Sequence, residues 1–434
     1  MTSTLEQQTI RKVALRLLPF IGLLYFISFL DRVNVGFAAL TMNKELGFTS
    51  TLFGWGAGIF FFGYLLFEVP SNVILEKVGA RIWIARIMIT WGLISAAMAF
   101  ISGPASFLAL RFLLGLAEAG FFPGMIYYIS FWFPAEQRAK IFGWFIFAIP
   151  VSSVLGSPLS GWLLGFDGVG GLSGWQWLFI VEGLPAVIVG VVVLFYMTDR
   201  PADAHWLARD EREWLVQTME REKRTIQSAH GYSLGKALAS PRVLALSLVY
   251  FGLVIGLYGI GFWLPQLVKG FGLSNFEVGF VTAIPYLVAA VGMILWGYHS
   301  DRTGERIWHV ALAGFIGGAG MIAAAYIQSN VLGMVALSFA IWGIYAALTP
   351  FWTLPTAFLS GTAAAGGIAL INSLGNVGGF VGPYVVGAIK DATGSLNMAL
   401  VVLGLALIGA GLVTLTIGAG MRRTAAAARA EGSA

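Results

Sequence analysis

Two short stretches of the sequence are related to each other: residues 76–81 read EKVGAR and residues 301–306 read DRTGER. Both follow the order acid, base, any residue, Gly, any residue, Arg, and the second begins 225 residues after the first. The same offset separates Pro158, in a Gly-Ser-Pro motif, from Pro383, in a Gly-Pro motif. Two unlike motifs that share one offset indicate a duplicated unit, and such duplications are frequent in secondary transporters.

The composition around these stretches is that of a membrane protein. Of 434 residues, 58% are hydrophobic and 11% are charged, whereas about 25% charge is typical of soluble domains. A disordered chain is excluded because 14% of the residues are aromatic. The absence of cysteine excludes disulfide scaffolds, cysteine-bound metals and thiol nucleophiles, and four histidines offer little metal chemistry.

Apolar runs of about 20 residues, each long enough to cross a bilayer, predict twelve membrane helices. We place them near residues 16–40, 52–75, 82–101, 105–132, 141–164, 175–197, 242–268, 275–299, 307–328, 332–355, 365–389 and 396–419. The runs are continuous rather than alternating, which excludes a β-barrel. We therefore predict an all-α polytopic membrane protein with two pseudo-symmetric six-helix bundles, at residues 1–198 and 242–434.

A polar segment, residues 199–241, joins the two predicted bundles. Within it Trp214, Leu215 and Met219 lie among charged residues. This pattern indicates an amphipathic helix that lies against the membrane surface or against the bundle. A solvated linker is the alternative.

The basic residues predict the orientation in the membrane. Of 26 lysines and arginines, Lys44, Lys269 and Lys390 fall on one side, and Arg32 and Arg111 lie inside spans. The other 21 fall on the opposite side, which we predict to be the cytoplasm because cytoplasmic loops are enriched in Lys and Arg. Both termini are then cytoplasmic, in a protein of the inner membrane. The net charge of +5 reflects this orientation rather than nucleic-acid binding.

The repeated loop resembles the signature loop of the major facilitator superfamily, and the resemblance extends over essentially the whole chain. The second-half loop matches the signature fully, at Gly297, Asp301, Arg302, Gly304 and Arg306. The first-half loop keeps Arg81 and departs from the signature at Asn72, Glu76 and Lys77. Charge and helix-dipole contacts of this motif can hold one conformation of a transporter. We therefore expect six gating residues, namely Glu76, Lys77, Arg81, Asp301, Arg302 and Arg306.

Three further stretches look like the anion:cation symporter family within that superfamily. Residues 29–37 read FLDRVNVGF, residues 67–72 read FEVPSN and residues 111–120 read RFLLGLAEAG. Members of the family carry organic acids such as tartrate, sugar acids, phthalate and hydroxyphenylacetate. The resemblance implies a small organic carboxylate as substrate, and both a compact hydroxy-diacid and an aromatic acid stay open.

Four charged residues lie at depths where the bilayer makes charge costly: Asp31, Arg32, Arg111 and Glu118. We expect them to face a wet cavity or one another, and the alternative is an ion pair that only holds two helices together. Arg111 and Glu118 are seven residues apart, about two helical turns, and so share one face. Facing first and fourth spans would then place all four side chains around one cavity.

Arginine offers a permanently charged planar fork that matches a carboxylate, so Arg32 and Arg111 are candidates for binding an anionic substrate. A carboxylate beside them can take up a proton when the anion binds, which is the thermodynamic requirement for symport. The family resemblance implies these roles for the two arginines and implies proton coupling for Asp31 and Glu118. Which of the two acids carries the proton stays open.

Further substrate-binding candidates come from polar stripes on predicted helices. Tyr64 matches a substrate-contacting position in the family, and the alternative is a buried core tyrosine. Trp352 continues a polar stripe on the tenth span, and Asn372 and Asn376 share one face of the eleventh. Such amides also join helices inside membranes. Glu182 has Gly183 and a proline nearby, which indicates a kink rather than a site.

The sequence therefore predicts a secondary active transporter that imports a small organic carboxylate by proton symport with alternating access. A drug or metabolite efflux antiporter is the alternative, and the two arginines disfavour a cationic cargo. A membrane receptor would need a larger output domain than the linker, and no enzyme site is recognisable. We expect no cofactor and no metal, and a protein that works as a monomer in the lipid bilayer. Sodium stays open as the coupling ion.

Overall fold

A computed structural model describes residues 4–228, 240–355 and 361–431, and this part of the chain is helical and contains no strand. Its first half contains the helices α1 Thr4–Val33, α2 Val35–Glu45, α3 Ser50–Val78, α4 Ala80–Ala97, α5 Pro104–Glu118, α6 Phe121–Trp132, α7 Ala135–Leu163 and α8 Gly174–Tyr196. The helix α9, Arg209–Ser228, follows. The second half contains α10 Pro241–Gly261, α11 Leu264–Lys269, α12 Asn275–Thr303, α13 Ile307–Tyr326, α14 Asn330–Phe351, α15 Gly361–Thr393 and α16 Asn397–Glu431.

The predicted spans correspond to these helices in order. Within the described ranges, 11 segments are long and apolar enough to cross a membrane. They match every predicted span except that at residues 365–389, which lies within α15. That helix has 33 residues, and the polar residues Asn372 and Asn376 interrupt its apolar run. The amides and glycines of α15 make it less apolar than its neighbours.

The chain folds into two compact units. The first contains residues 1–46 and 59–230, and the second contains residues 47–58 and 231–434. The helix α3 begins in the second unit and continues in the first. Residues 229–239 of the predicted linker lie outside the described residues.

The predicted duplication recurs in the packing inside each unit. In the first unit, α1 packs on α7, α4 packs on α8, and α3 packs on α5 where Gly115 meets the backbone of Phe60. In the second unit, α10 packs on α15, α13 on α16 and α12 on α14. These are the same three pairings moved on by six spans. The prediction of two pseudo-symmetric bundles is confirmed.

The fourth predicted span is two helices rather than one. The helix α5 ends at Glu118, and α6 begins after Gly120, whose φ of +88° lies in the left-handed region that favours glycine. A Cβ atom on Gly120 would also collide with the side chain of Ser71 on α3. Broken membrane helices are common where a transporter places its polar groups. Here the break directly follows a buried acid.

The helix α9 lies against the first unit. Leu215 is buried, and the ion pairs Lys12–Glu211 and Arg138–Glu222 join α9 to α1 and α7 at 2.8 Å and 2.7 Å. Of the placements considered from the sequence, the structure shows contact with the bundle. The first part of the linker is therefore attached to one unit.

Candidate functional site

A buried ion pair joins the first and fourth spans. Arg32 lies in the last turn of α1 and donates through Nη2 to Oε1 of Glu118, the last residue of α5. Ser28, one turn before Arg32, donates to the same oxygen at 2.7 Å. The side chains of Arg32 and Glu118 are 9% and 1% exposed, so the pair is largely removed from water. The sequence prediction that these two residues face each other agrees with this geometry.

A second guanidinium lies in the same cluster. Arg111 is fully buried on α5 and interacts electrostatically with both Glu118 and Arg32. The Cζ atoms of Arg32 and Arg111 lie 5.2 Å and 5.3 Å from the centre of the Phe60 ring, so both cations contact one aromatic ring. Two arginines thus converge on one carboxylate, that of Glu118.

Tyr64 is a further aromatic residue of the cluster, next to Phe60. It is buried on α3, one turn after Phe60, and its ring lies 5.6 Å from the Cζ atom of Arg32. Phe60 was not predicted from the sequence as a site residue, although it lies four residues before Tyr64 and so shares its helix face. We therefore add Phe60 to the candidate substrate-facing residues.

Asp31 does not join this cluster directly. Its carboxylate turns to α4, where Oδ2 accepts from the indole of Trp91 and Oδ1 accepts from Ser95, both at 2.9 Å. Successive residues of an α-helix point about 100° apart, so Asp31 and Arg32 cannot face the same neighbour. Three of the four charged residues therefore meet in one cluster, whereas Asp31 lies at a different helix interface.

Three candidates lie in the second unit, and they are half-buried: Trp352, Asn372 and Asn376. The ring of Trp352 lies 4.8 Å from that of Tyr250 on α10. Gly375 on α15 packs directly against the same Tyr250 ring. Tyr250 therefore connects the end of α14 with the part of α15 that contains the asparagines. The sequence offered no signal that distinguishes Tyr250 from other aromatic residues of the spans.

In the first-half loop motif, the acid that contacts Arg81 comes from outside the motif. Glu76 and Lys77 are exposed. Asp199, just after α8, accepts from the backbone N–H of Arg81 at 2.8 Å and lies 3.7 Å from the Nε atom of that arginine. Gly79, with a φ of +97°, lets Asp199 approach the start of α4. Asp199, rather than Glu76 of the motif, therefore contacts the N-terminus of α4.

The second-half loop motif is self-contained. Arg306 binds Oδ1 of Asp301 at 2.7 Å and donates to the hydroxyl of Ser300 at 2.8 Å. Arg302 is exposed. The two copies of the motif thus share a sequence pattern while Arg81 and Arg306 bind acids from different places in the chain.

Comparisons with known proteins agree with this architecture. The Major Facilitator Superfamily profile matches residues 21–383. A relative from Agrobacterium vitis, named "Putative tartrate transporter", is 57% identical over 420 residues, which cover 96% of each chain. A relative from Acinetobacter baumannii, named "Quinolone resistance transporter", is 41% identical over 420 residues, again 96% of each chain. The partially occluded inward-open structure of the xylose transporter XylE from E. coli superposes with a TM-score of 0.74 at 15% identity, covering 93% of this chain and 98% of that chain.

The fold and the buried charged site define a multi-pass membrane protein with a polar centre inside a helical bundle. The chain belongs to the major facilitator superfamily, as the signature loop predicted. It is a secondary transporter of small organic substrates and not an enzyme. The likeness to XylE concerns the fold alone.

Proposed function

We propose that this protein imports a small organic carboxylate together with protons, by alternating access. The observation that carries the proposal is the convergence of Arg32 and Arg111 on the single buried carboxylate of Glu118. An anionic substrate can replace that carboxylate as the partner of the arginines once Glu118 is protonated. Proton uptake and anion binding then favour each other, and this coupling is reciprocal.

The substrate proposed is a compact hydroxy-diacid of the tartrate type. Two guanidiniums offer two planar forks, and each fork matches one carboxylate with charge-assisted hydrogen bonds. Phe60 and Tyr64 form an aromatic wall beside them. The relative named as a tartrate transporter supports this assignment, because its 57% identity extends over 96% of both chains.

Efflux by antiport is the second candidate function. It is favoured by the relative named as a quinolone resistance transporter, which covers the chain as completely at 41% identity. The two buried guanidiniums of Arg32 and Arg111 disfavour a lipophilic cation, because like charges in a site of low dielectric repel strongly. Import of an anion is therefore the preferred proposal.

Orientation and assembly complete the proposal. The excess of Lys and Arg on one side of the predicted spans supports cytoplasmic termini in the inner membrane. We propose a monomer that needs no cofactor beyond its coupling ion. That ion is the proton, because the carboxylate of Glu118 is held by the donors Arg32 and Ser28 and lacks the set of oxygen ligands typical of a metal-cation site.

Uptake into proteoliposomes tests the function. Vesicles with an inward proton gradient receive labelled tartrate, phthalate or a quinolone, and parallel vesicles receive a sodium gradient or a protonophore. We expect tartrate to accumulate under the proton gradient and to leave when the protonophore is added. Accumulation that follows sodium alone, absence of any carboxylate uptake, or proton-driven movement of the quinolone alone would contradict the proposal.

A further inference from the structure

The first unit contains a second buried acid that the anion site does not use. Glu182 lies on α8 and is 1% exposed. Its Oε1 atom accepts from the hydroxyl of Ser160 on α7 at 2.6 Å, and its buried Oε2 atom has no hydrogen-bond partner. The neighbouring Gly183 and Pro185, which indicated a kink in the sequence, do not explain a carboxyl group inside a membrane bundle. An ionisable group is costly there, so it is a candidate for a function.

Asp31 is the charged neighbour of Glu182. The two carboxyl groups interact electrostatically, and Glu182 interacts in this way with no other charged side chain of the described ranges, including those of α2, α4 and α7. Asp31 also interacts electrostatically with Glu118 of α5. Within the same described residues, no Lys, Arg or His nitrogen lies within ion-pair distance of Asp31 or Glu182. Two acids thus share a buried region without a cation.

Asn34 is a third polar residue in this region. It is close to Asp31 in the sequence, and its side chain lies beside Glu182 in the structure. It follows α1, three residues after Asp31, and is 1% exposed. Its side-chain amide lies next to the Glu182 carboxyl group, without completing a hydrogen bond to any partner among the described residues. A buried amide with no partner is costly. Its position suits a polar contact that forms when Glu182 carries a proton.

The pseudo-symmetry of the fold supports the closeness of the pair. The positions 225 residues after Asp31 and Glu182 are Gly256 and Leu407. In the second unit a Cβ atom on Gly256 would lie 2.8 Å from the side chain of Leu407. The helix interface that is a plain apolar contact in one unit therefore has an acid on each side in the other.

The surrounding donors show where a proton is held. Both oxygens of Asp31 accept hydrogen bonds, from Trp91 and Ser95, which is the arrangement of an ionised carboxylate. Glu182 accepts one, from Ser160, and its Oε2 atom is the place for a proton that Asn34 can accept through its amide oxygen. Two ionised carboxylates without a cation repel strongly in a dry interior, so such a pair retains one proton.

We infer that Asp31 and Glu182 form a buried acid pair that binds one proton between them, with Asn34 as the polar bridge. This inference rests on the proposed function for its role, because the shared proton is then a coupling proton. In the loaded state Oε2 of Glu182 carries the proton and Asp31 is ionised. On release the proton passes to water, both carboxyl groups become negative, and their repulsion drives the pair to reload.

Infrared spectroscopy of the purified, reconstituted protein tests the pair without any transport. The protonated carboxyl band is followed against pH in the wild type, in Glu182→Gln and in Glu277→Gln. Glu277 is an exposed acid whose replacement removes the same charge elsewhere, and glutamine retains the capping box at that helix start. We expect one carboxyl band at neutral pH to disappear in Glu182→Gln and to remain in Glu277→Gln. A band of unchanged intensity in Glu182→Gln overturns the inference.

A second variant keeps the test decisive if Glu182→Gln does not fold. Ser160→Ala removes the donor to Oε1 and leaves both acids in place. We expect the carboxyl band to change frequency in Ser160→Ala, because that band reports the hydrogen bonds of the protonated group. A band that does not move shows that the proton is not held at Glu182.

Proton-driven uptake separates this inference from the proposed function. In Glu182→Gln the proton of the pair has lost its site, and Asp31 alone binds a proton without the repulsion of a second carboxylate, so we expect half-maximal uptake at a pH lower by about one unit. Glu182→Asp keeps an acid at this position and is expected to restore the wild-type pH profile in part. An unshifted profile in Glu182→Gln overturns the inference alone, whereas a wild type that accumulates nothing under a proton gradient overturns the proposed function.

Discussion

The two units of this duplicated protein share their packing and differ in their chemistry. In the first unit six buried charged residues lie on helices of the bundle interior: Asp31, Arg32, Glu68, Arg111, Glu118 and Glu182. In the described part of the second unit, no Asp, Glu, Lys or Arg side chain is buried to this degree. The positions 225 residues after the same six are Gly256, Leu257, Met293, Ala336, Gly343 and Leu407.

The break in the fourth span shows the same contrast. The helices α5 and α6 meet at Gly120, whereas the corresponding position 345 in α14 is a tyrosine inside an unbroken helix. Helix pairing is thus common to both units, while the break and the charges occur in one. A duplicated membrane unit thus retains the contacts that hold its helices together, while it can lose or gain polar groups. We therefore expect charge recognition to depend on the first unit and substrate shape on the second.

The largest effect is expected at Arg111. Arg111→Gln removes one of two cations from a buried cluster and leaves Glu118 with a weaker partner, and such truncations cost about 2–5 kcal/mol. We expect proton-driven tartrate uptake to fall by about 100-fold or more. Arg209→Gln, on the exposed face of α9, is the matched control and is expected to transport like the wild type. Equal uptake by both variants would remove the first unit from anion recognition.

Glu118→Gln is expected to abolish the pH dependence of substrate binding. Glutamine imitates the protonated acid, so Arg32 is available to the anion at every pH. Tartrate binding to the purified wild type is expected to weaken by up to about tenfold per pH unit as pH rises, as linkage to one proton requires. Binding to Glu118→Gln, measured by calorimetry between acidic and alkaline pH, is expected to stay constant. A variant that retains the wild-type slope would assign the coupling proton elsewhere.

Gly120→Ala probes the break in the fourth span. A Cβ atom at a positive φ costs about 1–2 kcal/mol, and here it also meets Ser71. We expect a lower melting temperature than in the wild type, measured by thermal unfolding in detergent. Gly143→Ala on α7, where a Cβ atom meets open space, is expected to match or exceed the wild type because alanine favours helix. Equal melting temperatures for the two variants would show that the break is not needed.

Trp352→Phe tests the second unit. The variant retains an aromatic ring beside Tyr250 and shortens it, and aromatic contacts of this kind contribute about 0.5–1.5 kcal/mol. We expect the KM for tartrate to change by about threefold to tenfold, while the pH profile of uptake stays that of the wild type. A shifted pH profile would contradict the separation of roles between the units.

The smallest expected effect is a difference in melting temperature between variants of the two loop motifs. Asp199→Ala removes a backbone contact at the start of α4 as well as the contact with Arg81, and loss of such a cap costs about 1 kcal/mol. Asp301→Ala removes one partly exposed ion pair, which contributes less than about 1 kcal/mol. We expect a larger fall in melting temperature for Asp199→Ala. The reverse order would show that the second-half motif is the stronger contact.

Much of this arrangement could be predicted from the sequence. The span pattern and the offset of 225 predicted two related bundles, and the cost of charge in a bilayer identified Arg32, Arg111 and Glu118. Their meeting followed from the expectation that the first and fourth spans face each other. These features depend on composition and on spacing along single helices, which a sequence displays directly.

Contacts that need three-dimensional registry could not be predicted. Asp31 and Arg32 are adjacent in the sequence, and their different partners depend on the rotation of α1 against α4 and α5. Asp199 is more than 100 residues from Arg81, and no spacing rule connects the two. Glu182 had no visible partner in the sequence, because α8 and α1 meet through packing alone.

The hydrogen bond from Trp91 to Asp31 makes the protein its own optical reporter. An indole N–H that donates to a carboxylate has different vibrational and fluorescence properties from one that faces a neutral acid. The chain contains 15 tryptophans, and the difference spectrum between the wild type and Trp91→Phe isolates this one. Loading and release of the proton on Glu182 change the charge close to Asp31, so they can be followed at Trp91 by light during a transport cycle, without a label attached to the molecule.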